Sequence, residues 1–98
     1  MPDPIQVRWT APAAQDLQQI TRYIRRDNPS AARTVAKAIF DAANCLDLFP
    51  LRGRAGRIAG TRELVLPGLP YIVVYQVTAA AIQILHIVHG TRNWPDEI

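Results

Sequence analysis

The 98-residue chain has a single cysteine, Cys45, so it holds neither an internal disulfide framework nor a multi-cysteine zinc site. That usage agrees with a reducing compartment. Lysine is nearly missing too: of eleven basic residues, only Lys37 is not arginine. No glycine precedes Gly53. From Leu64 to Thr91 there is no Asp, Glu, Lys or Arg, a length that could span a bilayer as a helix. Pro67, Gly68 and Pro70 interrupt its first part, however, and β-branched residues dominate it. Gln76, Gln83, His86 and His89 would also lie in hydrocarbon, so two strands fit better than a membrane span. Met1-Pro2-Asp3-Pro4 has no basic start and no apolar run behind it. That argues against a secretory signal and for a cytoplasmic protein.

What is present reads as one soluble globular domain over residues 1–98, 49% hydrophobic and 19% charged. A chain of this size buries roughly two-thirds of its unfolded surface, enough for one modest core. The net charge is +3. Arginine's planar fork binds phosphates and carboxylates bidentately, so the bias points to an anionic partner or to nucleic-acid machinery. Codon usage in a high-GC genome would raise Arg, Ala and Pro together and produce the same composition.

Hydropathy spacing and punctuation divide the chain. Ile5, Val7 and Trp9 alternate with Gln6 and Arg8, the pattern of a half-buried strand. Thr10 is placed to cap a helix over 11–27, with Pro12 in its first turn and Leu17, Ile20 and Ile24 on its apolar stripe. Asn28-Pro29 stops that helix and caps a second over 29–48, with Val35, Ile39 and Leu46 on its stripe. So short a link makes an antiparallel helical hairpin, whose six stripe residues should face one sheet. Strands are expected over 61–66, 71–77 and 81–89, joined by short turns and therefore antiparallel. The order is β-α-α-β-β-β: an α+β domain with a helical hairpin packed on a small antiparallel sheet.

Arg52, Arg54, Arg57 and Arg62 put four positive charges within eleven residues, opposed only by Glu63. Gly53, Gly56 and Gly60 between them let backbone approach an anion closely. Such a loop suits a nucleic-acid phosphate or an acidic protein tail; equally, its arginines could pair with Glu63 or cover the sheet edge. His86 and His89 lie three apart on a strand, on opposite faces, so they cannot share a metal, and no metal or cofactor is expected. His86 reads as a packed or edge residue; His89, beside Gly90 and Arg92, is the better site candidate. Cys45, inside the second helix, reads as a small buried or half-buried residue. Tyr23, Phe40 and Phe49 fit either the core or an apolar surface for a partner.

Taken in order, several segments resemble the RelE/ParE superfamily of toxins from bacterial type II toxin–antitoxin modules. They are Trp9-Thr10 with Asp16-Leu17, Asp27-Asn28-Pro29, Phe49-Pro50 with Gly53-Arg54 and Gly56-Arg57, Gly60-Thr61-Arg62-Glu63-Leu64, and Pro70-Tyr71-Ile72. Ile84-Leu85-His86-Ile87-Val88-His89-Gly90, Arg92 and Trp94-Pro95 complete the series. The resemblance spans nearly the whole chain. It implies the same β-α-α-β-β-β fold and a protein that stops growth until a cognate antitoxin covers it. That partner would lie over the hairpin and along the sheet, adding a strand to an edge or a helix to a groove.

Two targets follow from the resemblance. ParE-like members poison DNA gyrase; RelE-like members cut messenger RNA on the ribosome. For the nuclease, Arg54, Arg57, Arg62, His89 and Arg92 would be the catalytic set, the arginines stabilising charge on the cleaved phosphate. For a binding role, the target- or antitoxin-contacting set would be Arg52, Arg54, Arg57, Arg62, Arg92 and Trp94. Nuclease members often carry a tyrosine near the C-terminus; here none follows Tyr75, and Trp94 can stack on a base but cannot exchange a proton. Gyrase poisoning is therefore the expected mode. The ribosome-dependent nuclease is the alternative, and a degenerate antitoxin-binding module without toxicity is the third.

Overall fold

Two side-chain caps start the helices. The computed structural model describes residues 5–91. Strand β1 (Gln6–Trp9) runs into Thr10, whose hydroxyl accepts from the Ala13 N–H and opens α1 (Ala11–Arg25). Asn28, held extended at φ −153°, accepts from the Ala31 N–H and opens α2 (Pro29–Asn44). Proline disfavours helical backbone at the residue before it, which stops α1 short of Asn28; its last residue is Arg25, two short of the sequence expectation. The second helix also ends early. At Asn44 it tightens into a 3₁₀ turn, Cys45–Asp47.

That turn corrects the reading of Cys45, which is exposed. Ala43 and Leu46 are the buried residues at this end of the hairpin, and Cys45, on a different bearing around the axis, points away from them.

After a loop come β2 (Arg54–Ala55), β3 (Arg62–Val65), β4 (Tyr71–Val77) and β5 (Ala81–His89). They form one five-stranded sheet in the order β1-β5-β4-β3-β2. Strands β2 to β5 pair antiparallel, as their short turns require. Two features differ from the sequence expectation. The sheet is mixed, because β1 lies parallel to β5, pairing Gln6 with Ala81 and Trp9 with Ile84. No turn joins these two strands, so no turn dictates their sense. The arginine loop also contributes a two-residue strand, β2, too short to show a periodicity.

The helices cover one face of the sheet. Ile39, Ala43 and Leu46 from α2 and Ala13 from α1 meet Leu64, Val73, Tyr75, Ile82, Ile84 and Ile87 there. The register shifts between Val74 and Tyr75, leaving Leu85 as an extra residue on β5. This bulge is why Ile84 and Ile87, three apart, both reach the helix side. On the other face, Ile72, Val74 and Val88 form a smaller cluster with Leu85 against it. Of the six stripe residues, Ile39 and Leu46 are fully buried, while Leu17, Ile20 and Val35 are half-buried against the core. Ile24, in the last turn of α1, is half-buried outside that core. Among the described residues no helix is long and apolar enough to cross a membrane.

The two positions should therefore respond differently to truncation. Ile39→Ala should lower unfolding stability in urea by about 2–5 kcal/mol. Leu17→Ala, removing a side chain that is partly solvated in the native state, should cost less; equal losses would show that α1 is seated as deeply as α2.

Candidate functional site

The loop between the 3₁₀ turn and β3 is wired to the sheet from below. Tyr75 on β4 is fully buried, and its hydroxyl donates to the Pro50 carbonyl and accepts from the Gly53 N–H, both at 2.8 Å. A Cβ at Gly53 would stand 2.7 Å from the Tyr75 ring edge and hydroxyl, so this approach needs glycine. Gly56 is similarly confined: its N–H donates to the Thr61 carbonyl at 2.8 Å, and a Cβ there would meet that carbonyl at 2.9 Å.

Glu63 is the second anchor. It sits on β3 opposite Val74 and is only 1% exposed, a placement a charge tolerates only when its acceptors are filled. Its Oε1 accepts from Arg54 Nη2 at 3.2 Å, and its Oε2 accepts from the Arg57 N–H at 2.9 Å. Burial, the largest single influence, pushes the carboxyl towards its neutral form. The Arg57 N–H, the Arg54 hydrogen bond and the two guanidinium charges together outweigh it and hold the pKa below the ordinary glutamate value.

Arg62 is also committed inward. Its Nη1 donates to the Gly53 carbonyl at 2.8 Å and reaches the Leu51 carbonyl at 3.4 Å. The loop thus uses the Arg54 guanidinium and the Arg57 N–H to hold Glu63, and the Arg62 guanidinium to fix its own backbone. Arg52 differs. It is exposed, beside an open, mostly apolar depression lined by Leu48, Phe49, Pro50 and Leu51. Phe40, also exposed, stacks on Trp9 with ring centroids 5.8 Å apart. The aromatic side chains left open by sequence (Tyr23, Phe40, Phe49) all lie at the surface.

His89 is not brought to this loop. Along β4, Arg62 pairs with Tyr75 and His89 pairs with Tyr71, on the opposite flanking strand. Four residues of strand separate the two levels, about 13 Å. The His89 ring meets Tyr71 edge-on at 5.6 Å, and its Nδ1 faces the Thr91 hydroxyl at 2.7 Å. His86 has a separate partner: its Nδ1 lies 2.9 Å from Asp16 Oδ2, which also accepts from the Ile87 N–H at 3.0 Å. No group of three or more potential metal ligands is assembled among the described residues. Arg92 and Trp94 lie outside the described residues.

Three residues organise the loop and the neighbouring strand in ways that local sequence signals show only in part. The pairing of a loop arginine with Glu63, one of the two readings the sequence allows, is present at Arg54, but the burial of that carboxylate and its bond from the Arg57 N–H have no sequence signal. Tyr75 and Asp16 gave no local signal, since each acts on backbone far away in sequence.

The architecture is that of solved toxin–antitoxin proteins. The chain matches a protein of the chromosomal ParDE system from Pseudomonas aeruginosa with a TM-score of 0.82 and 27% identity, covering 88% of this chain and 96% of that one. It matches a chain of the toxin–antitoxin complex RelBE2 from Mycobacterium tuberculosis with a TM-score of 0.58 and 26% identity, covering 89% and 99%. In sequence it is 42% identical over 89 residues to Y4kP of Sinorhizobium fredii, itself a candidate toxin, covering 91% of this chain and 92% of that one. It is 39% identical over 87 residues to toxin RelE2 of Caulobacter vibrioides, covering 89% and 97%. The model of the ParE toxin of the type II toxin–antitoxin system parDE matches residues 7–94. The chain belongs to that family, the ParE toxins of type II toxin–antitoxin systems, within the RelE/ParE superfamily.

The buried carboxylate gives the loop an acid limit. Glu63 has a depressed folded pKa, so its contribution to stability is present above the unfolded glutamate pKa and is lost as pH falls through the folded value. Glu63→Gln should be clearly less stable than wild type at pH 7. Urea titrations down the pH scale should show the two curves converging on the acid side of the normal glutamate range. A constant gap at all pH values would mean that shape, and not charge, is what the position supplies.

Proposed function

We propose that this toxin acts by binding and poisoning DNA gyrase, without cutting a nucleic acid itself, and is silenced by a cognate antitoxin. The observation that carries this reading is the separation of His89 from the arginine loop along β4. Phosphodiester cleavage needs charge stabilisation and proton transfer at one phosphate, and general acid–base catalysis alone is typically worth about 100- to 10,000-fold. Here two of the arginines serve internal acceptors, and the imidazole stands at the far end of the strand. The higher TM-score to the ParDE protein than to the RelBE2 chain supports the same choice.

In this reading Arg52, Arg92 and Trp94 make the target contact, and Arg54, Arg57 and Arg62 hold the loop that presents Arg52. The antitoxin is proposed because both structural relatives come from toxin–antitoxin systems. It would cover exposed apolar side chains such as Phe40, Leu48, Phe49 and Leu51. The chain's place of action would be the cytoplasm, where gyrase works.

Purified toxin should inhibit gyrase supercoiling and accumulate cleaved DNA, while a ribosome-bound messenger RNA stays intact in a parallel reaction. Substituting Arg92 or Trp94 should weaken that inhibition, and His89→Ala should leave it in place once folding is verified. Codon-boundary cuts in the messenger that vanish in His89→Ala would instead make the protein a ribosome-dependent nuclease. No effect in either reaction would make it an antitoxin-binding module.

A further inference from the structure

Four arginines crowd the free end of the helical hairpin. Arg22 and Arg25 stand in the last turn of α1, Arg26 at its C-cap, and Arg33 in the second turn of α2. All four are exposed, and none of their guanidinium groups forms an ion pair with a described residue. Asp27 is the sole acid between Asp16 and Asp41, and the first turn of α2 carries none. The helix dipole rewards cations at the end of α1, which accounts for Arg22 and Arg25. It does not account for Arg33, near the end of α2 where a cation gains nothing from it.

The hairpin brings these positions together. Spacings of three and four put Arg22 on one flank with Arg25 and Arg26. Arg22 lies three residues before the last residue of α1 and Arg33 four residues after the first of α2, so the two stand at similar heights on adjacent helices. Helix axes pack about 8–10 Å apart and one turn rises about 5.4 Å, so four charges share one end of the hairpin. In the loop, by contrast, the guanidinium groups of Arg54 and Arg62 already serve Glu63 and backbone carbonyls.

We propose that this hairpin tip is a sequence-independent binding site for the phosphate backbone of duplex DNA. Duplex DNA presents one negative charge per roughly 1.7 Å of axis, so a patch of this width faces several phosphates at once. The surroundings favour that partner over the others. Asp27, Asn28 and Ser30 make the turn polar, whereas a protein interface needs an apolar centre; the apolar depression lies elsewhere, at Leu48 to Leu51. Single strands are gripped by successive aromatic platforms, and here Tyr23, 72% exposed, is the only aromatic between Trp9 and Phe40. The inference goes beyond the gyrase reading and does not rest on it, because DNA is tested with no gyrase present.

The test is fluorescence anisotropy of a labelled 20-base-pair duplex with the purified full chain, free of antitoxin, across 50 to 200 mM salt. Three or four phosphate contacts should give a slope of log affinity against log salt of about −3 to −4. The double variant Arg22→Gln/Arg33→Gln should lose about two units of that slope and bind at least tenfold more weakly at 50 mM. Arg22→Lys/Arg33→Lys, keeping the charges, should retain the slope, and Lys37→Gln, one helical turn further along, should match wild type. Circular dichroism establishes that each variant is folded. No binding at 50 mM salt, or wild-type affinity in the double glutamine variant, would overturn the proposal. So would tighter binding to an equal-length single strand, or to polyglutamate, which would make the partner an acidic protein segment. Duplex binding without gyrase inhibition would sustain this site while removing the gyrase reading.

Discussion

Strand β5 is bonded along its length by β4 on one side, but β1 reaches only as far as Ile84 on the other. Buried backbone groups must find partners, and those beyond Ile84 find them in the first turns of α1. The Thr10 hydroxyl donates to the Ile84 carbonyl at 2.7 Å, and Asp16 accepts from the Ile87 N–H. Completing the sheet and docking the hairpin are therefore one event. The bulge at Leu85 falls where β1 gives way to these side chains, and it sets which face Ile87 presents. Ala13, Ile39 and Leu46 can then pack as they do because the hairpin's entry point is fixed by polar contacts at the strand edge.

A similar economy governs the arginine loop. Fixing a glycine-containing segment against its conformational entropy needs several contacts per turn, and the chain supplies them from Tyr75, Glu63 and Arg62. A guanidinium that orders a loop in this way is not free to meet a phosphate without breaking that order. Charge counted in the sequence is therefore a poor guide to charge available for binding. The loop presents Arg52 and an apolar depression, whereas four arginines without an ion pair to a described residue stand at the hairpin tip.

The elements were legible because their signals are local. Thr10 and Asn28-Pro29 cap their helices through contacts three residues away, and breaker-free, β-branched runs between turns mark β4 and β5. The misses involve long-range partners or very short segments. Nothing within residues 6–9 says that they will lie parallel to the last strand, and a two-residue strand such as β2 has no period. At the site, the arginines were found by their density, but their roles depend on Tyr75 and Glu63, whose partners lie across the sheet or loop. The 3₁₀ turn that exposes Cys45 follows from a tightening of the helix end that side-chain spacing does not encode.

The parallel pairing of β1 with β5 also bears on how the protein is made. Gln6 meets Ala81 and Trp9 meets Ile84, so β1 waits for β5 to be made. Such non-local closure is slow and postpones completion of the sheet until β5 is available. A translation product ended before β5 lacks the strand on which β1, β4 and α1 all rest. Closing the sheet around β1 and seating α1 therefore both wait on a strand made some seventy residues later.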